Sequence, residues 1–362
     1  MLHSPRGSCL AEPPMLAAAI ERGTAFLAAR QLPSGEFVCY RSTDATLKTA
    51  RETDSSPFPT ALIAYSLGFV GSSESRAMLA RAMTFFVAEM EGPGMWRYWT
   101  RAHVNHGMIP VDLDDVACVS YVLRREGVPF PSNARLLAAN RDRNGRFHTW
   151  IVPRMPLPRN FAWWRVALWQ WANPAKAHYF WKLNECEPQD VDGVVNANVL
   201  LYLGSCDETR GVVPYLETIM RNGEEARCDK WHLNVFTFHY SIARAFRDGV
   251  RSLGAMRNES VRRIVEHARP DGGIGNSELD TALAVCALVA WQSESPALHR
   301  AVDSLLARQG VAGEWPATVM YYGGPKRFFG WGSEELTTGF CLEALARFRM
   351  HVSSRTPEYA GP

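Results

Sequence analysis

The chain has 362 residues, 47% apolar and 21% charged, which is enough to build a large core and is ordinary globular composition rather than that of a disordered chain. Lysine and arginine number 39 against 37 aspartates and glutamates, leaving a formal charge of +2 and no basic excess that would point to nucleic acid. No apolar run reaches the ~20 residues of a membrane span. Met1–Pro14 carries one arginine and no apolar stretch, so it does not read as a signal peptide. The eight cysteines are widely spaced with no Cys-x-x-Cys, so reduced thiols in a cytoplasmic protein are expected.

Helical patterns recur from end to end and almost nothing reads as a strand. One kind is amphipathic, with aliphatics three and four apart and charges opposite: Met15–Arg30, Glu74–Met90, Asn133–Asn140, Thr209–Arg221, Ala255–Ala268 and Ala297–Gln309. The other is apolar nearly all round: Pro59–Phe69, Asp115–Leu123, Asp192–Leu203, Asn234–Phe246, Asp280–Trp291 and Thr337–Phe348. A helix without a polar face must be buried on every side. Six of each kind in strict alternation predict an all-α fold, a single (α/α)6 toroid spanning 1–362 with an inner ring wrapped by an outer one.

The linkers repeat as well. Gln31-Leu-Pro-Ser-Gly35-Glu-Phe37, Met90…Gly94…Trp96, Arg141…Gly145…Phe147 and Gln309…Gly313…Trp315 each place a long side chain, a glycine four later and an aromatic two after that. Arg269…Gly273…Gly275 keeps the glycine and loses the aromatic. The glycine turns the chain at positive φ and the aromatic plugs the gap between hairpins, a structural role. Residues 148–188 interrupt the rhythm with Trp150, Trp163, Trp164, Trp169, Trp171 and Trp181, and Phe161–Trp171 should be a helix packed on the toroid or over its mouth. Residues 353–362 read as a disordered tail.

In such a toroid the inner helices run parallel, so their N-termini gather at one end with their partial positive charge. Asp112, Asp114, Asp115, Asp190, Asp192, Glu278, Asp280, Glu334 and Glu335 all sit at those starts. For Asp280, Glu334 and Glu335 helix capping explains the residue type. Asp112-Leu-Asp114-Asp115 exceeds what a cap needs, and three crowded carboxyls away from water cannot all ionise, so at least one should keep its proton. Aromatic residues Trp96, Trp99, Tyr240, Tyr321, Tyr322, Phe328 and Trp331 are expected at the same end, where their faces could line a pocket. Asp192 and Asn196, four apart in an apolar helix, are expected to meet a polar part of the ligand.

The Gln…Gly…aromatic linkers resemble the QW repeats of squalene–hopene and oxidosqualene cyclases, a toroid also used by the β subunits of protein prenyltransferases. The Asp-x-Asp-Asp string at an inner-helix start resembles the DxDD general-acid motif of class II terpene cyclases, with Val116 where that family has threonine. The resemblance implies an isomerase of isoprenoid biosynthesis in which Asp114 protonates an alkene or epoxide. Asp112 and Asp115 would hold its geometry and protonation, and aromatic residues would steer the carbocation. It implies no cofactor, with Mg2+ accompanying the substrate if that is a diphosphate. Arg101, Lys326 and Arg327 would then be the cations at the rim. A full triterpene cyclase has two such domains with the cavity between them. This chain supplies one, so the Trp-rich segment or a second copy must close the opening, and a loose peripheral membrane contact is compatible with so apolar a substrate. No Asp-Asp-x-x-Asp motif suggests ionisation of a diphosphate, and no Asp/Cys/His set suggests a prenyltransferase zinc site. His103-x-x-His106 reads as two ordinary histidines rather than as metal ligands.

Two readings from other classes stand beside this one. A glycan-active toroid would pair Asp114 with Asp192 or Glu334. A non-catalytic toroid would hold a lipid or peptide in its aromatic mouth.

Overall fold

A computed structural model describes residues 13–153, 161–170 and 174–354. Its helices, in chain order, are α1 (Pro13–Arg30), α2 (Pro57–Leu67), α3 (Ser73–Glu89), α4 (Leu113–Arg125), α5 (Ala134–Ala138), α6 (Phe161–Gln170), α7 (Pro174–Asn184), α8 (Gly193–Leu203), α9 (Val212–Asn222), α10 (Val235–Arg247), α11 (Arg257–Glu266), α12 (Glu278–Ala290), α13 (Pro296–Ala307) and α14 (Glu334–Ser353). All twelve helices expected from the alternation are present.

The apolar-all-round segments form a closed ring. Helix α2 packs on α4, α4 on α8, α8 on α10, α10 on α12, α12 on α14, and α14 back on α2. Every residue of α2 is buried, as is every residue of α12 from Leu279 to Ala290, because each inner helix meets ring neighbours at its sides and an outer helix behind. The amphipathic helices α1, α3, α9, α11 and α13 lie outside and bury one stripe each. Among the described residues no helix is long and apolar enough to cross a membrane.

The linkers bind the outer ring together. After α1, Gly35 takes a φ of 94°, and a Cβ there would sit 2.2 Å from the Arg81 carbonyl oxygen of α3. Gln31 Nε2 donates to Gly35 O and to Met78 O on the same helix. After α13, Gly313 presses against Arg22 of α1, and Gln309 Nε2 donates to Gly313 O and Ala19 O. The last outer helix is thereby tied to the first, and Phe37 and Trp315 fill the gaps beneath. The fifth linker runs one residue earlier than its sequence suggests. Its positive φ falls on Gly272, which meets the Arg300 carbonyl of α13, and Ile274 takes the aromatic slot.

Two features differ from the expectation. The linkers before α2 and α14 pair as a small antiparallel sheet, β1 (Tyr40–Ser42), β2 (Glu52–Thr53), β3 (Tyr321–Tyr322) and β4 (Gly330–Gly332), in the order β2-β1-β4-β3. Tyr321 stands opposite Trp331 in its register. Strands of two or three residues are too short to show alternation. The Trp-rich segment holds two helices rather than one, α6 and α7; Trp163 is buried with its Nε1 3.2 Å from Asn140 Oδ1. Trp171 and the side chain of Trp169 lie outside the described residues, as do 355–362 of the expected tail; Ser353 ends α14.

Candidate active site

Residues from the starts of the inner helices converge on one cavity with about 80 Å³ of free space, walled mostly by aromatic side chains. Phe58 comes from α2, Asp112, Asp114 and Asp115 from the head of α4, Val195 from α8, Trp231 and His232 from just before α10. The sheet brings Tyr321, Tyr322 and Trp331, and the α3–α4 connection brings Tyr98, Trp99 and Ile109. Thr149, Trp150, Phe180 and Asn184 complete the wall, the last two from α7. Phe180 stacks on Trp231 at 6.0 Å and meets Trp150 edge-on, so the Trp-rich segment supplies one side of the cavity.

The acidic triplet is divided by its positions. Asp112 is the N-cap of α4 and accepts from the Asp115 backbone N–H at 2.8 Å, which spends one of its oxygens on structure. Burial, reinforced by the charge of Asp114, pushes the Asp112 carboxyl up to about 7. Burial, then the charges of Asp112 and Asp114, lifts Asp115 well above the carboxylate range, and one of its oxygens has no partner. Two of the three carboxyls therefore resist ionisation, as crowding of like charges in a dry place demands.

Asp114 is placed differently. Its Oδ1 accepts from Asn198 Nδ2 of α8 at 2.5 Å, and its Oδ2 lies 2.9 Å from His232 Nε2. Behind Asn198, the buried guanidinium of Arg244 donates to the Asn198 Oδ1. Burial disfavours a charged His232, yet the hydrogen bond to Asp114 and the charges of Asp229 and Asp114 outweigh it and hold the imidazole above its usual range. His232 is fixed from below, where Asp229 Oδ1 accepts from its backbone N–H at 2.8 Å.

The other expected site residues divide between cavity and scaffold. Trp99, Tyr321, Tyr322 and Trp331 line the cavity. Trp96 does not: it is fully buried with its Nε1 donating to Phe86 O, and acts as the staple of its linker. Asn196 is also away from the cavity, satisfied by Phe147 N, Phe147 O and Asp192 O. Asp192 sits behind Thr149, whose hydroxyl donates to its Oδ2 while Lys230 N donates to Oδ1. Tyr240 lies farther down α10, donating to Glu343 Oε2 inside the ring. Phe328 points to solvent at 63% exposure and packs on Phe329.

The acids expected at these helix starts stand in the first turns, but none of them is the N-cap itself. Ser277 and Ser333 cap α12 and α14, leaving Glu334 to pair with Arg51 and the buried Glu335 with Arg30. Asp280 accepts from Asn276 N and from Asn234 Nδ2. His103 and His106 go to separate carboxylates, Asp54 and Glu91, and among the described residues no three His, Cys, Asp or Glu groups converge as for a metal. At the rim Lys326 pairs with Glu185, Arg327 lies over Tyr322, and Arg101 N donates to Glu89.

The cavity residues that sequence reasoning missed are His232, Phe58, Tyr98, Trp150, Phe180 and Trp231, with Ile109, Thr149, Asn184 and Val195 between them. Trp231-His232 carries a usable signal: it lies just before the start of α10 as the acidic triplet lies at the start of α4, so both belong to the same end of the ring.

No family model matches the chain, and no curated protein matches it significantly. Solved structures do. A substituted form of type II terpene cyclase MstE from Scytonema, in complex with its substrate geranylgeranyl dihydroxybenzoate, is 16% identical with a TM-score of 0.67, over 93% of this chain and 98% of that one. Another substituted form of MstE, without ligand, gives 15% and 0.68 over the same shares. An unsaturated glucuronyl hydrolase specific for heparin is 10% identical with a TM-score of 0.57, over 94% of this chain and 98% of that one. At such identities the likeness establishes the helical toroid, which serves more than one chemistry.

Proposed function

We propose that this protein is a class II-type terpene cyclase, an isomerase that protonates a hydrophobic isoprenoid with Asp114 and steers the resulting cation along an aromatic wall. The observation that carries the reading is the setting of Asp114. It is a carboxyl at the wall of an aromatic cavity, with an amide N–H on one oxygen and an imidazole on the other. The reaction starts from the form in which Asp114 has taken up a proton from solvent; breaking that O–H bond and forming a C–H bond at an alkene (or O–H at an epoxide) leaves a carboxylate on Asp114 and a cation on the substrate. The Asn198 N–H and a protonated His232 stabilise that carboxylate as it forms, and being already in place they cost no reorganisation. Arg244 backs Asn198 with a fixed positive charge. Loss of a proton at the end returns the atom count to that of the substrate, so the net reaction is isomerisation.

The wall suits the second half of the reaction. Phe58, Tyr98, Trp99, Tyr321 and Trp331 stand edge-on or stacked within about 5.4–6.0 Å of one another, opposite an apolar side built by Trp150, Phe180 and Trp231. Aromatic faces attract cations and exclude the water that would capture them. Asp112 and Asp115 shape the head of α4 and keep the local negative charge low by staying protonated. The proton step asks for no resident cofactor; Mg2+ would come with the substrate if that ends in a diphosphate.

A glycan-active reading shares the fold, but it requires two carboxyls flanking one bond. Among the described lining residues the carboxyls are Asp112, Asp114 and Asp115, all on one turn, which favours the cyclase. The test is incubation with a panel of linear prenyl alcohols, epoxides, diphosphates and prenylated hydroxybenzoates, with Asp114→Asn beside the wild type. New cyclic isomers from the wild type alone support the reading; no product, or equal product from both, overturns it.

A further inference from the structure

Asp54 lies outside the cavity in the short stretch between β2 and α2, yet it organises the wall. It is 3% exposed and accepts three hydrogen bonds from side chains. Trp99 Nε1 donates to its Oδ1 at 2.9 Å, Trp331 Nε1 donates to its Oδ2 at 2.5 Å, and His103 Nε2 stands 3.0 Å from Oδ1. Its backbone N–H donates to Cys39 O, which fixes the residue to the sheet side of the mouth. Two of the three partners are cavity-lining tryptophans, from segments more than two hundred residues apart.

The geometry has an electrostatic consequence. An indole is positive at its N–H edge and negative over its ring. With both N–H edges bound to Asp54, neither Trp99 nor Trp331 has that edge free for the cavity that both line. The remaining contacts lock that pose: Trp331 stacks on Tyr321 at 5.9 Å with 13° between planes, and Trp99 stacks on His103 at 5.4 Å with 5°. A hydrogen bond to an anionic acceptor also pushes electron density from the N–H into the ring. Burying this carboxylate would be costly without its three donors, so the arrangement is a built one.

We propose that Asp54 is a positioning residue for cation stabilisation: it holds the N–H edges of Trp99 and Trp331 away from the cavity and enriches their rings electronically. This rests on the cyclase reading for its purpose, but its test does not depend on turnover. The full chain is titrated, by intrinsic tryptophan fluorescence, with decyltrimethylammonium as a cationic mimic and with decanol as a neutral ligand of the same chain length. Wild type is expected to bind the ammonium at least tenfold more tightly than the alcohol. Asp54→Asn, which keeps size and removes charge, is expected to cut that preference about fivefold while moving decanol affinity less than twofold. Trp331→Phe, which keeps Asp54 and removes one donor, should cut the preference in the same direction and serves if Asp54→Asn does not fold. Equal loss of both ligands in the folded variants, or an unchanged preference, overturns the proposal. With a prenyl substrate, Asp54→Asn should divert product toward fewer rings and captured water, whereas Asp114→Asn should leave substrate unconsumed. If wild type consumes no substrate, the cyclase reading fails while the ammonium preference still decides the role of Asp54.

Discussion

Asp114 and His232 are 118 positions apart in the chain and 2.9 Å apart across the mouth of the ring, one at the head of α4 and the other just before α10. Hydrogen-bond donors already in place on both oxygens of a carboxyl stabilise its anion without reorganisation, and in the proposed reaction they would hold the carboxylate that Asp114 leaves behind.

Replacing Asp114 with Asn removes the transferable proton and keeps the shape. Turnover is expected to fall by roughly 100- to 10,000-fold, the usual range for a general acid, with the melting temperature held or raised. Product quantification by gas chromatography, beside thermal melting, checks both halves.

His232 should set the alkaline limb of the pH profile. Its folded-state pKa is raised, so the imidazolium persists above the ordinary ~6.5 and is lost as pH rises through the higher value. Activity should therefore decline on the alkaline side, and His232→Gln should flatten that limb and lower kcat by roughly 10- to 100-fold. The sign is the same for stability: the His232–Asp114 contribution is fully present below the unfolded pKa and fades as pH rises through the folded one. A kcat–pH series that keeps its alkaline limb in His232→Gln would sink this assignment.

Asp115 loses stability in the same direction from a different cause. Burial and two like charges raise its pKa, and burial with the charge of Asp114 raises Asp112 to about 7, so the folded protein holds protons the unfolded chain has released. That stability is complete below the unfolded ~3.9 and is lost as pH climbs toward the folded values. Asp115→Asn, neutral at every pH, should melt higher than wild type at pH 8 and much closer to it at pH 5. Calorimetry at the two pH values measures the difference.

Phe180 is the contribution of α7 to the cavity wall. Phe180→Ala removes the ring that stacks on Trp231 and meets Trp150 edge-on, at a stability cost of about 3–5 kcal/mol for a buried phenylalanine. The opened side should admit water, raising KM and the share of hydroxylated products more than it lowers the rate of substrate protonation. Product analysis in H2 18O reads that share directly.

Glu343 and Arg347 form an ion pair inside the ring, at 0% and 1% exposure, with Tyr240 and Ser66 also donating to Glu343. Breaking a buried pair from one side costs about 3–5 kcal/mol. Glu343→Ala should lower the melting temperature markedly and leave the product profile of the folded fraction unchanged, because the pair lies away from the cavity wall.

The ring itself was legible in the sequence because burial leaves a mark in composition. A helix enclosed on every side has no charged face, an outer one keeps its stripe, and their alternation orders the elements without any coordinates. The acidic triplet was legible for a related reason, since one cap explains one carboxylate and not three. Which residues meet in the cavity was decided only by closure of the ring. Asn198 reaches Asp114 from α8 and His232 from the linker before α10, and Trp96 and Trp99 differ in fate although they share one chemistry and lie three residues apart. Tyr240 and Asn196 face scaffold rather than cavity, which composition cannot distinguish when every side of a helix is packed. Local sequence carries burial and periodicity; the pairing of side chains across a closed ring depends on the relative rotation and depth of its helices, and only the assembled packing fixes those.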